Sequence, residues 1–234
     1  EIKNNKFISI TKIEKKIIKT EGLDDDQRRY KFFKKDFYKN KNILDYGFGW
    51  GGFLSYIKNA KNLCGVERRP KCINYIVQKS KKINASMSLD SFKNIKFDLI
   101  TLFHVLEHCP QQVNLLKRLK PMLSKRGKII IEIPSSNNIM LENEEYKNFS
   151  FWSEHLVLHN EESVKSFLKA AGYKKIKIIF YQRYNYLNYF NWMINGTPGG
   201  HTIFNKFYNS KLDNIFCSSL KKRKISDTII AIAS

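Results

Sequence analysis

The fold is decided by the stretch Ile43-Leu44-Asp45-Tyr46-Gly47-Phe48-Gly49-Trp50-Gly51-Gly52-Phe53-Leu54. Its apolar start predicts a short buried strand over 42–45, and the residues after Gly52 predict a helix from Phe53 to about Lys58. Glycines between a strand and a helix let a ligand approach the backbone at the N-terminal end of the helix. The stretch therefore predicts a strand, a ligand-binding turn and a helix.

Strands and helices alternate along the rest of the chain. Apolar runs predict further strands over 63–67, 84–87, 97–103, 128–133, 174–180 and 228–233. Apolar spacing predicts helices over 27–38, 71–81, 113–123 and 161–171. The last of these has Asn160 as its N-cap and Gly172 as its C-terminal stop. This order is typical of an α/β protein with a doubly wound parallel sheet, whose ligands bind at the carboxyl ends of the strands.

Two long stretches interrupt the alternation. Residues 135–153 follow the fifth strand, and residues 182–224 precede the last strand and are rich in Tyr, Phe and Asn. Long irregular segments in a compact domain are usually lids or binding loops. We therefore expect both stretches to be irregular and to cover a ligand site.

Composition indicates one globular domain with a modest addition. Of the 234 residues, 42% are hydrophobic and 14% aromatic, which excludes a disordered chain. The net charge is +21, but 34 of the 42 basic residues are lysines, scattered in short runs. Lys, Asn and Ile are abundant together, as in proteins of AT-rich genomes, so we interpret the charge as a solvated surface. An anionic, for example nucleotide-linked, substrate is compatible with it.

The cysteines and the apolar runs predict a cytoplasmic protein. Cys64, Cys72, Cys109 and Cys217 form neither a CxxC pair nor a zinc spacing, which favours reduced thiols. No run reaches the roughly 18 apolar residues of a membrane helix. The charged start of the chain lacks the apolar segment of a secretion signal.

The glycine turn satisfies two overlapping patterns. One is the dinucleotide fingerprint Gly47-x-Gly49-x-x-Gly52, and the other is Asp45-x-Gly47-x-Gly49-x-Gly51. A carboxylate at the end of the strand would repel a pyrophosphate but would favour a ligand that carries an ammonium and a sulfonium. Glu67 follows 22 residues after Asp45, at the tip of the second strand, where a carboxylate can accept two hydrogen bonds from ribose hydroxyls.

Four segments resemble class I S-adenosylmethionine-dependent methyltransferases. Residues 43–54 resemble their motif I, residues 97–108 their fourth strand and the turn after it, and residues 128–134 their fifth strand. His155-Leu156 and residues 161–173 are similar to the subgroup called methyltransferase type 23, which belongs to bacterial surface-glycan pathways. The bulky Trp50 and the long insertion over 182–224 depart from the family pattern.

The resemblance implies a Rossmann-like, seven-stranded sheet with its last strand antiparallel, and S-adenosylmethionine as cofactor. Asp45, Gly47 and Gly49 would line its methionine part in a turn completed by Gly51, and Glu67 would hold the ribose. The other implied contacts are Ser88, Leu89 and Asp90 at the adenine, Phe103 and His104 near the methyl group, and Arg28 or Arg29 at the cofactor carboxylate.

The resemblance also implies an organisation and a substrate class. Residues 1–40 would form an N-terminal helical cap, 41–181 the cofactor-binding core, 182–224 an inserted substrate lid and 225–234 the last core strand. The implied acceptor is a hydroxyl of a sugar or sugar-linked group in capsule or lipopolysaccharide synthesis, a capsular phosphoramidate included. A nucleotide- or phosphate-linked sugar fits this class. The alternatives are a phenol, quinone or RNA methyltransferase, a nicotinamide-dependent oxidoreductase, or a basic nucleic-acid-binding module, although the charge does not favour nucleic acid.

The run His104-x-x-Glu107-His108 matches the pattern of inverted zinc peptidases. That pattern needs a helix interior, whereas here it directly follows a strand and stands just before Pro110. Some methyltransferases hold a divalent ion with a related ExxEH run, but His104 replaces the first carboxylate, which disfavours an oxygen-loving ion. We interpret the run as a structural turn and predict no metal.

Histidines are the candidate general bases, because imidazole accepts protons near neutral pH. His201 is the first choice, since it follows a glycine-rich turn over 196–200, and His155 is the second; both lie in the irregular stretches. An aromatic run in the insertion either stacks on a sugar or base or forms the insertion's own core: Tyr181, Tyr184, Tyr186, Tyr189, Phe190 and Trp192.

Overall fold

Seven strands form one mixed sheet in the order β3-β2-β1-β4-β5-β7-β6. The computed structural model describes residues 23–151 and 154–234. The strands are β1 (Asn42–Tyr46), β2 (Asn62–Val66), β3 (Ile83–Ser86), β4 (Phe97–Phe103), β5 (Leu123–Pro134), β6 (Ile176–Tyr181) and β7 (Thr228–Ala233). The helices are α1 (Leu23–Lys31), α2 (Gly52–Tyr56), α3 (Pro70–Lys79), α4 (Gln112–Leu119), α5 (Glu144–Ser150), α6 (Glu161–Ala170), α7 (Tyr186–Asn195), α8 (Gly200–Ile203) and α9 (Ser210–Arg223).

The predicted sheet type is confirmed. β1 pairs in parallel with β2 and β4, and β2 pairs in parallel with β3. The last strand, β7, is antiparallel to both β5 and β6. Ile43 and Leu44 of β1 are fully buried. A strand that is covered on both faces needs apolar residues at successive positions, which explains the apolar run in β1. The sheet is the Rossmann-like, seven-stranded sheet that the sequence predicts.

The chain forms two compact units. Of the described residues, the first unit contains those from 23 to 101 together with Met122–Gly127, and the second contains those of Leu102–Pro121 and of Lys128–Ser234. Buried apolar side chains such as Leu54 and Ile76 form the core of the first unit. The second unit has its own buried side chains, among them Leu116, Leu168 and Ile229.

Helix α1 is shorter than the sequence predicts. A helix was expected over 27–38, but α1 ends at Lys31 and a short 3-10 turn covers Lys35–Tyr38. The buried Tyr38 folds back onto the helix: its ring stacks on Tyr30, with centroids 5.2 Å apart, and its hydroxyl donates to the Tyr30 carbonyl at 2.9 Å. Most of the expected cap over 1–40 lies outside the described residues.

The boundary between α4 and β5 also differs from the prediction. The expected helix reached residue 123, but α4 ends at Leu119, and β5 begins at Leu123 rather than at 128. Pro121 explains the end of the helix, because proline lacks the N–H that a helix interior needs. The chain continues from Lys120 to Met122 as a short 3-10 turn before β5.

The two stretches expected to be irregular are largely helical. Residues 135–151 contain α5, and residues 182–224 contain α7, α8 and α9. Both contribute to one cluster of buried side chains in the second unit, formed by Met140, Tyr146, Tyr189, Trp192 and Leu220. The Trp192 ring meets Tyr146 edge-on at 5.1 Å. Part of the aromatic run is therefore core, whereas Phe190 is 47% exposed.

The asparagines in these stretches mark helix starts. Asn143, Asn185 and Asn209 each stand just before a helix and accept a hydrogen bond from one of its first backbone N–H groups. Such N-caps satisfy donors that have no partner inside the helix. The Asn-rich composition that suggested loops is in part a set of helix caps.

Two further predictions concern thiols and membranes. All four cysteines are free thiols, and Cys64 and Cys72 are buried. Over residues 23–151 and 154–234, the helices are all too short or too polar to cross a membrane.

Candidate active site

The glycine turn of the first unit takes a backbone that only glycine adopts readily. Gly47 and Gly49 have φ angles of 80° and 57°, in the left-handed region. The N–H groups of Gly47 and Phe48 both donate to the Val66 carbonyl, at 2.7 and 3.3 Å. These bonds attach the turn to the carboxyl end of β2. The glycines therefore fold the chain back across the strand ends before α2 begins.

The turn leaves space at Gly49 and packs closely at Gly51. A Cβ at Gly49 would stand 3.5 Å from Nη2 of Arg69, so the backbone here faces the space beneath a flexible guanidinium. A Cβ at Gly51 would come within 2.5 Å of the Ile76 side chain on α3. Gly49 suits the close approach of a bound cofactor, and Gly51 suits packing of the turn against α3.

Asp45 stands at the end of β1 with 2% of its surface exposed. It pairs with Thr101 of β4, and its Oδ1 accepts a hydrogen bond from the Thr101 hydroxyl at 2.7 Å. Burial raises the pKa of the Asp45 carboxyl to about 7, against the opposing effect of the Thr101 hydrogen bond. A cationic group near this carboxyl would favour its ionised form.

Glu67 follows β2 and is engaged through both carboxylate oxygens. Oε2 accepts from the Gly49 N–H at 2.9 Å, and Oε1 accepts from the Arg69 backbone N–H and Nε, each at 3.1 Å. Nη2 of Arg69 also donates to Oε2 at 3.3 Å. The Glu67 side chain is 9% exposed and that of Arg69 59%. The predicted ribose ligand is thus joined to the glycine turn, and an arginine that the sequence analysis did not single out covers it.

The segment predicted to meet the adenine lies directly after β3. Ser88 accepts a hydrogen bond from the Asp90 backbone N–H at 3.2 Å, and Leu89 between them is buried. The Glu67 backbone N–H donates to the Ser86 carbonyl at 3.0 Å, which joins the ends of β2 and β3. Asp45, Glu67 and the start of this segment therefore share one edge of the parallel strands.

The arginines proposed for the cofactor carboxylate are engaged within α1. Arg28 forms an ion pair with Asp25 at 3.0 Å, and Arg29 forms one with Asp26 at 3.3 Å. These four side chains are only 12–20% exposed, so a cofactor carboxylate would have to replace a partly buried partner of either arginine. Trp50, the bulky departure from the family pattern, packs edge-on against Tyr75 of α3 with centroids 5.5 Å apart.

In the second unit, the end of β4 leads into a group of one half-buried imidazole and two buried carboxylates. Nδ1 of His104 lies 3.1 Å from Oε1 of Glu107, and Nε2 lies 3.4 Å from Oε1 of Glu132. Glu107 and Glu132 are almost completely buried. Burial alone would lower the pKa of His104, but the contacts of its ring with Glu107 and Glu132 and the charge of Glu107 raise it. His104, next to Phe103, also has a φ of 53°, which is uncommon for a residue with a side chain.

The two candidate bases have different surroundings. His155 lies beside His108, with ring centroids 4.9 Å apart, and its Nδ1 is 2.6 Å from the Ser150 carbonyl oxygen. His201 is exposed on the short helix α8, where its side chain makes no hydrogen bond or ion pair to the described residues. His159 is buried between two other side chains. Its Nε2 lies 2.6 Å from Oε1 of Gln112, and its Nδ1 lies 3.0 Å from Oγ of Ser163. The roles of His155 and His201 stay predictions.

Two glutamates of this group were not predicted as site residues. Glu132 is the one charged side chain within the apolar run 129–133 of β5, and a charge in a buried strand is a usable signal. Glu107 is visible in the sequence only as part of His104-x-x-Glu107-His108. Its complete burial depends on the packing of the turn after β4.

Comparison with known proteins identifies the family. A sequence model of the methyltransferase domain, type 23, matches residues 24–178. An uncharacterized protein of Methanocaldococcus jannaschii is 30% identical over 144 residues, which cover 60% of this chain and 56% of that protein. The match thus spans little more than half the length of this relative.

Solved structures share the fold. A SAM-dependent methyltransferase of Archaeoglobus fulgidus is 20% identical with a TM-score of 0.56, over 88% of this chain and 90% of its own. A SAM-dependent methyltransferase of Thermotoga maritima, a possible histamine N-methyltransferase, is 13% identical with a TM-score of 0.59. The match covers 91% of this chain and 88% of that one. Phosphoethanolamine N-methyltransferase 2 of Haemonchus contortus, in complex with S-adenosyl-L-methionine, is 15% identical with a TM-score of 0.52. The match covers 89% of this chain and 51% of that one.

The chain belongs to the type 23 methyltransferase-domain family. It contains a methyltransferase domain over residues 24–178. The glycine turn and the Glu67 carboxylate have features that S-adenosylmethionine would need, because they offer an open backbone and a hydrogen-bond acceptor for ribose at one edge of the strands.

Proposed function

We propose that this methyltransferase methylates a hydroxyl of a sugar or sugar-linked group during assembly of a capsule or lipopolysaccharide. A phosphoramidate attached to a capsular sugar belongs to the same class of acceptor. The proposal is supported by the family and by the similarity of His155-Leu156 and the α6 region to its surface-glycan subgroup.

The observation that carries a hydroxyl acceptor is the cluster of histidines after β4. Three imidazoles, those of His104, His108 and His155, lie in or beside the turn that follows this strand. A sugar hydroxyl is a weak nucleophile at neutral pH and must lose its proton as the new bond forms, whereas an uncharged amine is already nucleophilic. A site rich in imidazole therefore suits oxygen methylation.

The charge of the chain favours an acceptor that carries phosphate. A net charge of +21 raises the local concentration of anions around the protein and speeds their encounter. A nucleotide-linked or phosphate-linked sugar is anionic, and a plain sugar or a quinone is not. We therefore place the phosphate-bearing sugars first among the acceptors.

The first unit would hold the cofactor. We propose that Gly47, Gly49 and Gly51 meet its methionine part, that Asp45 faces its ammonium, and that Glu67 accepts from the ribose hydroxyls. Ser88, Leu89 and Asp90 would meet the adenine. That Phe103 and His104, which belong to the second unit, lie near the methyl group stays a prediction. S-Adenosylmethionine supplies a methyl group on a sulfonium, which is already activated for in-line displacement.

The protein's remaining task is to align the acceptor and to take its proton. His201 is the first candidate for this base because its exposed side chain is not committed to another hydrogen bond among the described residues. His155 is the second, because its ring lies beside that of His108 in the group of imidazoles after β4. Helices α7, α8 and α9 would close over the acceptor as the substrate lid.

The acceptor is tested by a screen with the purified protein and S-adenosylmethionine. Nucleotide-linked sugars, sugar phosphates and a glycosyl phosphoramidate are each incubated with the enzyme, and products are analysed by mass spectrometry for one added methyl group. We expect turnover with a member of this panel. Methylation of a phenol, a quinone or RNA in parallel reactions, with none on the sugar panel, would contradict the proposal.

A further inference from the structure

Three side chains with metal-binding atoms come together after β4. Glu107, His108 and His155 each offer one such atom, and these atoms all lie within 4.8 Å of one another. Glu107 is buried and the two histidines are half-buried. The sequence analysis treated Glu107 and His108 as part of a structural turn. The structure adds His155, because the Leu156 N–H donates to the Glu107 carbonyl at 2.9 Å and holds the two segments together.

Both imidazoles are oriented by backbone carbonyls. Nδ1 of His108 lies 2.7 Å from the Glu154 carbonyl oxygen, and Nδ1 of His155 lies 2.6 Å from that of Ser150. A carbonyl oxygen can only accept, so each Nδ1 carries the proton and each Nε2 carries the lone pair. Histidines that bind metals are typically fixed in this way, with the second ring nitrogen donating to a carbonyl or carboxylate.

The carboxylate of Glu107 supplies an independent sign of a missing cation. Its Oε1 lies 3.1 Å from Nδ1 of His104, but its Oε2 is buried and has no hydrogen-bond partner in the described structure. A buried carboxylate oxygen without a partner is costly. A cation beside Oε2 would remove that cost, and His104 would then orient the carboxylate from behind.

We propose that Glu107, His108 and His155 bind one divalent transition-metal ion of the Zn²⁺ type. Two imidazole nitrogens and one carboxylate oxygen suit Zn²⁺ and similar ions, whereas Mg²⁺ and Ca²⁺ prefer oxygen ligands throughout. Small movements of the side chains bring atoms at this spacing to bonds of about 2.0–2.2 Å. Three protein ligands leave a coordination position open for water or for an oxygen of another molecule. The metal would occupy the lone pair of Nε2 in His155, so His155 could serve as the base only in the metal-free protein.

The proposal is tested by metal binding alone, which needs neither the cofactor nor the acceptor. The full chain is treated with a chelator, dialysed and titrated with Zn²⁺ by calorimetry, and with Co²⁺ by visible absorption. We expect one equivalent of Zn²⁺ to bind, and Mg²⁺ at the same concentrations not to compete. His155→Ala and His108→Ala should each weaken Zn²⁺ binding at least about tenfold, the smaller end of the loss caused even by groups that only orient ligands.

His201→Ala is the matched control, because it removes an exposed imidazole from α8 in the same unit. It should leave Zn²⁺ affinity unchanged. Thermal unfolding of each metal-free variant shows whether the substitution has disturbed the fold, and His155→Asp, which restores a metal ligand, should recover part of the affinity. Equal Zn²⁺ affinity in the wild type and in His155→Ala would overturn the proposal, as would an equal loss in His201→Ala. Because the readout is binding, failure to methylate any sugar would leave the metal result unaffected.

Discussion

Replacing Glu67 by alanine tests how the first unit holds the cofactor. The carboxylate stands at the end of β2, accepts from the Gly49 N–H and is covered by the exposed Arg69 side chain. We expect the ribose hydroxyls to take the place of the Arg69 guanidinium while the bond to Gly49 persists. Glu67→Ala should therefore weaken the binding of S-adenosylhomocysteine without unfolding the protein.

The magnitude follows from the bonds exchanged. Two hydrogen bonds to a charged acceptor contribute about 3 kcal/mol at the lower end of the measured range. Releasing the Arg69 pair costs up to about 1 kcal/mol, since one partner is largely exposed. The expected loss is about 2–3 kcal/mol, which corresponds to a Kd raised about 30- to 150-fold.

The measurement is calorimetric titration of the variants with S-adenosylhomocysteine. Arg69→Ala should bind it as tightly as the wild type or up to about fivefold more tightly, because the competing guanidinium is gone. Glu162→Ala, which removes an exposed carboxylate from α6, is the matched control and should not alter the Kd. An unchanged Kd in Glu67→Ala would show that the ribose is held elsewhere.

Three other outcomes follow from the structure. Because the folded pKa of Asp45 is about 7 against an ordinary 3.8, its carboxyl binds more protons in the folded state, and the free energy of unfolding should fall as pH rises from about 4 to 7. In urea denaturation, Asp45→Asn should remove the part of the pH dependence of the unfolding free energy that Asp45 causes. An identical pH profile in the wild type and in the variant would contradict this prediction. Replacing Trp192, which is 3% exposed, by Ala should lower the free energy of unfolding by about 3–5 kcal/mol. Replacing Met193, which is 57% exposed, should lower it by under about 0.5 kcal/mol. Equal losses would refute a core formed by the helices of 182–224. His201→Ala should lower turnover about 10²–10⁴-fold with cofactor Kd unchanged, and wild-type turnover would transfer the role of base to His155.

Local sequence signals predicted the elements that hold the cofactor. The glycines at 47 and 49 require positive φ, and the apolar runs before and after them define β1 and α2. Helix α6 begins where Asn160 caps it, since the Asn160 side chain accepts from the Ser163 N–H and the Ser163 hydroxyl accepts from the Asn160 N–H. These features depend on neighbours in sequence, so the sequence alone was sufficient.

Features that depend on distant contacts were missed. The helices of 182–224 carry aromatic side chains whose burial depends on Met140 and Tyr146, so their own spacing did not predict a core. Arg69 could not be placed over Glu67 because a long, exposed side chain has many rotamers. His155 is brought to Glu107 and His108 by contacts across a large sequence separation, among them the hydrogen bond of the Leu156 N–H and the contact of His108 with the Glu154 carbonyl.

The central claim, that this chain is an S-adenosylmethionine-dependent methyltransferase, is tested most directly by denaturant unfolding with each of two ligands. S-Adenosylhomocysteine at about 100 times its Kd should add about 2.7 kcal/mol to the free energy of unfolding. NAD at the same concentration should add nothing, because the Asp45 carboxylate opposes a pyrophosphate at the glycine turn. Stabilisation by NAD, with none by S-adenosylhomocysteine, would contradict the account.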